Sequence, residues 1–249
     1  MIIVKSAEEI EIMRESCRIA AQALKIAGES VAPGITTAYI NKVVHDYIIS
    51  QKATPSFLNY SGFPASACVS VNEEVIHGIP SATRVLKEGD IVSVDVGAFF
   101  NGFHSDNAAT FAVGRICEEV ARLLATTKRC LQCGIDMAVV GGYVGDISHA
   151  VQLNAESAGF SVVKEYVGHG VGRNLHEEPP VPNCGELRQG AQLVAGMTLA
   201  VEPMINMGKS YVKMQKNGWG VVTRDSSFSA HFEHTILITD LGPQVLTRV

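Results

Sequence analysis

Residues 90–111, DIVSVDVGAFFNGFHSDNAATF, constrain this chain most: two alternating runs rich in β-branched and aromatic side chains flank Asn101-Gly102. That dipeptide suits the two positive-φ positions of a type I′ turn, whose twist matches paired strands, so the stretch predicts a hairpin. Closing on Asn101-Gly102 pairs Phe100 with Phe103, Gly97 with Asp106 and Asp95 with Ala108. Asp95 and Asp106 then share one face as diagonal neighbours, with Cβ atoms roughly 7 Å apart. The glycine opposite Asp106 leaves space there. Two carboxylates so placed repel unless something positive lies between them, and a metal ion is the simplest candidate. Paired aspartates also occur on solvated sheet faces, so the rest of the chain has to decide.

Composition narrows the partners. With 249 residues, 47% hydrophobic and 18% charged, the chain has ample material for a packed core, which excludes disorder. A net charge of -5 and no run of Lys or Arg argue against nucleic acid or an anionic membrane, and for a small or neutral partner. The opening MIIVKSAEEIEIM lacks the continuous apolar segment of a signal peptide, and the apolar run 193–207 is broken by Glu202 and Pro203. A soluble, cytoplasmic protein is expected. Cys17, Cys68, Cys117, Cys130, Cys133 and Cys184 read mostly as buried thiols. Cys130 and Cys133 form a C-x-x-C that would suit a redox pair or half a zinc site, yet no second pair exists and no thioredoxin-like strand precedes it.

Helical periodicity predicts a helix over 7–28, ended by Val31-Ala-Pro-Gly34, and a second from Thr36 and Thr37 to about Gln51. After the hairpin the pattern restarts: a helix over about 117–131, a break at Cys133-Gly134-Ile135-Asp136, and a helix over about 144–158. Val-Ala-Pro-Gly34-Ile35-Thr aligns with Leu-Gln-Cys-Gly134-Ile135-Asp, and Leu86-Lys-Glu-Gly89-Asp-Ile-Val-Ser-Val-Asp95 with Leu193-Val-Ala-Gly196-Met-Thr-Leu-Ala-Val-Glu202. A duplication would set Asp95 and Glu202 facing each other across a pseudo-twofold axis. The last segment reads as a meander of strands over 211–216, 219–224 and 228–239. On its final strand His231, Glu233 and Thr235 point one way and Phe232, His234, Ile236 and Ile238 the other. Helix pairs alternating with antiparallel strands, without a linker, predict an α+β class and one domain over 1–249 made of fused halves, about 1–112 and 113–249.

Four carboxylates thus lie mid-strand: Asp95, Asp106, Glu202 and Glu233. The chain also carries Gly168-His169-Gly170-Val171-Gly172-Arg173-Asn174-Leu175-His176-Glu177-Glu178-Pro179-Pro180, where glycines beside His169 remove Cβ atoms that would crowd a ligand at the ring. Oxygen-rich ligation with one imidazole suits Mn, Fe or Co, and four carboxylates carry charge enough for two divalent ions. Two such ions about 3.5–4 Å apart can hold a bridging hydroxide that attacks a carbonyl, which makes the expected chemistry hydrolysis. The zinc protease signature H-E-x-x-H is absent.

Gly168-His169-Gly170 with His176-Glu177-x-Pro179, Asp95 followed by Asp106, Glu202-Pro203 and Glu233-His234-Thr235 together resemble the type I methionine aminopeptidases of the pita-bread fold, over a match running from the N-terminal helix to the last strand. The resemblance implies two pseudo-symmetric halves, each with a helix pair packed on a curved antiparallel sheet, and removal of the initiator methionine from nascent polypeptides. It implies that Asp95 chelates one metal, that Asp106 and Glu233 bridge both, and that His169 and Glu202 complete the other, with Glu202 also the general base and acid. His176 would hydrogen-bond the substrate carbonyl, and His77, in Asn72-Glu-Glu-Val-Ile-His77-Gly78-Ile-Pro80, would assist the leaving amine. Phe57, Tyr60, Phe63, Cys68, Leu175 and Trp219 would wall the methionine pocket, which an unbranched thioether fills well. The implied substrate is a peptide with Met first and a small second residue, met near the ribosome by a monomer.

Ser61 stands where relatives often carry His or Asn, and Leu175 where an aromatic is frequent, so departures touch the pocket rim rather than the metals. No N-terminal zinc-binding extension is seen, and the segment from Glu202 to Glu233 is too short for the type II helical insertion. His45, His104, His149, His231 and His234 read as structural or surface residues, with His104 or His231 as the ones that could support a ligand from behind. An X-Pro aminopeptidase or dipeptidase shares the ligand set but usually adds a large N-terminal domain. A non-catalytic module of the same fold would have lost ligands that are all present here.

Overall fold

The computed structural model describes residues 2–248. Helices α1 (Ala7–Glu29) and α2 (Thr37–Ser50) precede strands β1 (Thr54–Pro55), β2 (Ala67–Val71), β3 (Glu74–Ile76) and the long hairpin of β4 (Ile91–Phe100) and β5 (Phe103–Ala112). A second pair, α3 (Glu118–Asp136) and α4 (Val144–Ser157), leads into β6 (Ser161–Val162), β7 (Gly168–Gly170), β8 (Glu177–Val181), β9 (Thr198–Val201) and β10 (Met204–Asn206). The chain closes with β11 (Val212–Met214), β12 (Val221–Thr223), β13 (Ser229–His231), β14 (Glu233–Leu237) and β15 (Gln244–Val245). A nine-stranded antiparallel sheet runs β1-β4-β5-β14-β9-β7-β8, with β2 added on β4 and β15 on β14. Two three-stranded sheets, β13-β10-β6 and β11-β12-β3, flank it.

The hairpin has the register its turn dictates: Phe100 faces Phe103, Gly97 faces Asp106 and Asp95 faces Ala108. Asn101 and Gly102 have φ of 46° and 89°, as a type I′ turn requires. Alternation then divides β4. Val92, Val94, Val96 and Ala98 pack under Ile19, Leu24, Val44 and Ile48 of the first helix pair, which leaves Asp95 on the other face. Helix α1 starts at a capping box, in which Ser6 Oγ accepts from Glu9 N–H and Glu9 Oε2 accepts from Ser6 N–H.

Four expectations need correction. Helix α3 does not break at Cys133-Gly134 but continues to Asp136. Gly134 instead lets α4 approach, since a Cβ there would lie 2.9 Å from Val151 Cγ2. The counterpart of Gly34 is Gly141: Gly34 N–H donates to Leu86 O at 2.8 Å and Gly141 N–H to Leu193 O at 2.9 Å, both glycines with φ near 85–90°. Bridges Thr36 to Val85 and Tyr143 to Gln192 repeat the correspondence, and the offset that pairs Gly34 with Gly141 also pairs Leu86 with Leu193 and Asp95 with Glu202. The terminal meander is divided as well. Strand β12, paired with β11 as expected, takes β3 as its other neighbour rather than the last strand, and residues 228–239 split at Phe232, where the chain passes from the β10 sheet to the central one. Glu202-Pro203 makes the matching corner between β9 and β10, so Glu202 lies just past a strand end and Glu233 opens β14, neither of them mid-strand.

One long-range contact ties the N-terminal segment to the region of His176. Lys5 Nζ donates to Glu177 Oε2 at 2.6 Å with both side chains 2% exposed, while Lys5 N–H donates to Gly196 O. Glu177 Oε1 in turn accepts from Asn174 N–H. Removing one partner of such a pair strands a buried charge, so Lys5→Met should lower unfolding stability by about 3 kcal/mol in urea titrations. A Lys5→Met, Glu177→Leu double variant should lose less than the single; equal or additive losses would show the pair to be uncoupled.

Candidate metal centre and substrate cavity

Sheet register assembles the site in two rows. Cys68, Asp95, Ala108 and Glu233 lie opposite one another across β2, β4, β5 and β14. In the next row Asp106 N–H donates to Thr235 Oγ1 and Thr235 Oγ1–H donates to Asp106 O, then Thr235 faces Ala200 and Ala200 faces His169. The spacers Ala108 and Ala200 are small, which keeps the volume between the acidic groups and the imidazole clear. Asp106, His169 and Glu233 each offer a ligand atom within 4.8 Å of the others. Glu202 Oε1 is 3.5 Å from His169 Nε2, and Asp106 Oδ2 is 3.8 Å from it. All five residues expected at the metals are therefore brought together.

The glycines around His169 act differently from expectation. A Cβ on Gly168 would lie 2.3 Å from Ala200 O and one on Gly170 2.4 Å from Glu178 O, so their absence lets β7 squeeze between its neighbouring strands. Room at Gly97 is likewise taken up, by Phe57 Cε1 at 2.9 Å and Ser56 Cβ at 2.7 Å from a Cβ built there. That glycine seats a pocket wall.

The donor set fits a cation on its own terms. His169 Nδ1 hydrogen-bonds Gly170 O at 2.8 Å, which a carbonyl can only accept, so the ring proton is on Nδ1. Burial and then the nearby His176 push the ring pKa down to about 3, keeping it neutral. Its Nε2 lone pair therefore faces carboxylate oxygens, and Asp95 Oδ1 and Glu233 Oε1 are buried with no hydrogen-bond partner. Lone pairs turned on one another call for a positive ion. Burial, then the charges of Asp95 and Glu202, raise Asp106 well above the usual carboxylate range; burial, then Asp106, does the same for Glu233. Asp95 and Glu202 are raised too, chiefly by burial.

A cavity of about 190 Å³ opens above this floor. Phe57, Phe63, Cys68 and Leu175 are buried in its wall, Trp219 meets Phe63 edge-on at 5.2 Å, and Tyr60 stands at the rim. Burial and the charges of Asp95, Asp106 and Glu233 raise the Cys68 thiol, which stays protonated and apolar in character. His77 and His176 line the same space. Burial, then the His231 and His176 charges, bring His77 down to about 4; partial desolvation lowers His176, which reaches solvent on one side. His77 holds a φ of 58°, a left-handed conformation uncommon for a non-glycine residue and of the kind that collects at functional sites.

Sequence reasoning missed several neighbours. Ala65 and Ile79 pack behind the apolar wall, and nothing but their apolarity could have marked them. Tyr166 meets His77 edge-on at 6.0 Å. Of the two supporting histidines considered, His231 is the one at the centre: it is 1% exposed, with Nε2 3.6 Å from Glu202 Oε2. His104 bonds Ser56 Oγ and stacks on Phe99 instead. Cys130 is buried and Cys133 half-buried on α3, and Cys117 is exposed, so the thiols are less uniformly buried than expected. Among the described residues no helix is long and apolar enough to cross a membrane.

Comparison with known proteins follows the same lines. A family model described as metallopeptidase family M24 matches residues 11–240. The methionine aminopeptidase of Clostridium acetobutylicum is 51% identical over 247 residues, covering 99% of each chain. Methionine aminopeptidase 1 of Bacillus subtilis is 49% identical over 249 residues, 100% of both. The crystal structure of methionine aminopeptidase from Thermotoga maritima superposes with a TM-score of 0.99 at 44% identity over 100% of both chains. Prolidase from Pyrococcus furiosus, at 23% identity and a TM-score of 0.80 over 99% of this chain and 66% of that one, shares the fold alone.

Raised carboxylate pKa values mean that the folded, metal-free chain binds more protons than the unfolded one, so its stability falls as pH rises above the ordinary carboxylate range. Between pH 7 and 8 the carboxylates should cost the metal-free protein at least roughly 1 kcal/mol in urea titrations relative to the ion-loaded protein, a comparison in which the unfolded histidines titrate alike on both sides. An added divalent ion should cancel that loss. Identical pH dependence with and without the ion would contradict the ligand assignment.

Proposed function

We propose that this chain, which belongs to metallopeptidase family M24 and within it to the methionine aminopeptidases, removes the N-terminal methionine of polypeptides by metal-dependent hydrolysis of the first peptide bond. The observation that carries the proposal is the neutral His169 Nε2 turned toward the carboxylates of Asp106, Glu202 and Glu233 beneath an apolar cavity. Asp95, Asp106, His169, Glu202 and Glu233 would hold two divalent ions, and iron, manganese and cobalt match this oxygen-rich set. When bound, the ions supply Lewis acidity and a water activated for attack.

The chain's own groups do the rest. The side chain of methionine lies among Phe57, Tyr60, Phe63, Cys68, Leu175 and Trp219, which align the first peptide bond over the metal floor. Glu202, ionised beside bound cations, would take a proton from the attacking water and return it to the leaving amine. His176 donates to the substrate carbonyl oxygen as it gains negative charge. His77, neutral at working pH, stands beside the scissile amide and assists the departing nitrogen.

The substrate is a nascent N-terminus with a small second residue, which places the protein in the cytoplasm beside the ribosome. Every residue of the site comes from one chain, so a monomer is complete. Residues 1–249 act as one catalytic domain of two fused halves, about 1–112 and 113–249, supported by the repeated Gly34 and Gly141 contacts. The X-Pro enzymes are disfavoured because the X-Pro aminopeptidase of Thermotoga maritima shares the fold at only 18% identity, with this chain covering 62% of it, against 44% over both whole chains for the methionine aminopeptidase of the same organism.

Metal-replete protein should release Met from Met-Gly-Met-Met, a chelator should abolish release, and Mn, Fe or Co should restore it. His176→Ala should lower kcat roughly 100-fold, the scale for removing one oxyanion donor, with KM changed less. An inert metal-loaded protein, or one that cleaves only Xaa-Pro bonds, would reject the assignment.

A further inference from the structure

Tyr60 makes a contact that its place in an apolar wall does not explain. Its hydroxyl lies 2.8 Å from His176 Nδ1, with the two rings 5.2 Å apart. The segment bearing it is wound tightly: Asn59 and Ser61 both take left-handed φ values, 66° and 48°, and Gly62 follows at 89°. Backbone bonds from Asn59 N–H to Phe63 O and from Phe63 N–H to Tyr60 O clamp the turn. Two non-glycine residues held in that region on either side of one side chain indicate that the position of that side chain is over-determined.

Resting on the proposed reaction, we infer that Tyr60 is a positioning residue: its phenol donates to His176 Nδ1 and thereby keeps the imidazole proton on Nε2, the atom left to donate to the substrate carbonyl. A neutral imidazole has one donor and one acceptor nitrogen, and its second nitrogen's partner selects which is which. A phenol is the better donor and an imidazole nitrogen the better acceptor, so O–H···Nδ1 is the favoured polarity. The reverse arrangement would leave a lone pair on Nε2 facing the carbonyl oxygen, and that histidine could not stabilise developing negative charge. The His176 ring also packs edge-on against that of His169, 4.3 Å between centroids, so contacts on two sides set which nitrogen meets the phenol. Tyr60 lines the same cavity as His176, so a methionine side chain seated there would shield their contact from water.

Tyr60→Phe keeps the ring in the wall and deletes only the hydroxyl. Histidine-¹⁵N NMR, with His176 assigned through His176→Gln, should show the Nε2–H tautomer in the wild type, both metal-free and loaded with a diamagnetic divalent ion, and a mixture with Nδ1–H in Tyr60→Phe. On Met-Gly-Met-Met the variant should lose roughly tenfold in kcat with KM nearly unchanged, the size of one hydrogen bond. In a Tyr60→Phe, His176→Ala double variant the two losses should not add. An unchanged tautomer in Tyr60→Phe, a loss confined to KM, or additive losses would overturn the positioning role. Wild-type protein inert on the peptide would instead reject the assigned reaction, while the tautomer measurement would still judge the contact.

Discussion

The structure depends on keeping like-charged groups together inside a protein. Asp106 and Glu233 are buried, Asp95 and Glu202 are nearly so, and the one imidazole among them is neutral and turns a lone pair toward them. Left uncompensated, that arrangement opposes folding, because each ionised group loses water and meets a neighbour of the same sign. Divalent ions reverse the sign of every one of these contacts. The groups that make the apo chain unfavourable are therefore the groups that would bind metal tightly, and the fold has to hold them close before any ion arrives.

Helices and small residues meet that demand. The valines of β4 press against Ile19, Leu24, Val44 and Ile48, so the strand carrying Asp95 cannot slip by one residue without exposing its whole apolar face. Ala108 and Ala200 space the acidic rows, and Gly168 and Gly170 let β7 bring His169 into line. The turn at Asn59 to Gly62 and the left-handed His77 then set the cavity above a rigid floor. A stiff sheet carries the residues proposed to hold metal, and strained loops carry those proposed to meet substrate. That division suits a reaction in which the metal geometry is constant while a polypeptide must enter and leave.

Much of this was readable from residue order. The hairpin register followed from Asn101-Gly102 and alternation, and it held at each of its ten pairs. The helix pairs appeared within a residue or two at most ends, the exception being α3, where Gly134 looked like a terminator but serves close packing against Val151. The duplication was half visible: Leu86 and Leu193 were matched correctly, while Gly34 was matched to Gly134 because the local strings look alike, although Gly141 makes the equivalent hydrogen bond. Splits at Pro203 and Phe232 were invisible, since apolar alternation continues smoothly through a corner at which a strand changes sheets.

Local pattern by itself determined the helix pairs and the central hairpin, the facing of Asp95 and Asp106, and a ligand chemistry of oxygen and imidazole, because those follow from periodicity and side-chain type. Tertiary structure alone decided that Glu202 and His169 reach the aspartates, that His231 stands behind Glu202, that Lys5 pairs with Glu177, and that the Tyr60 hydroxyl rests on His176. Each of these joins residues distant in the chain through packing of whole elements, and the energies that select such contacts, burial, charge and shape, are not written in any short stretch of sequence.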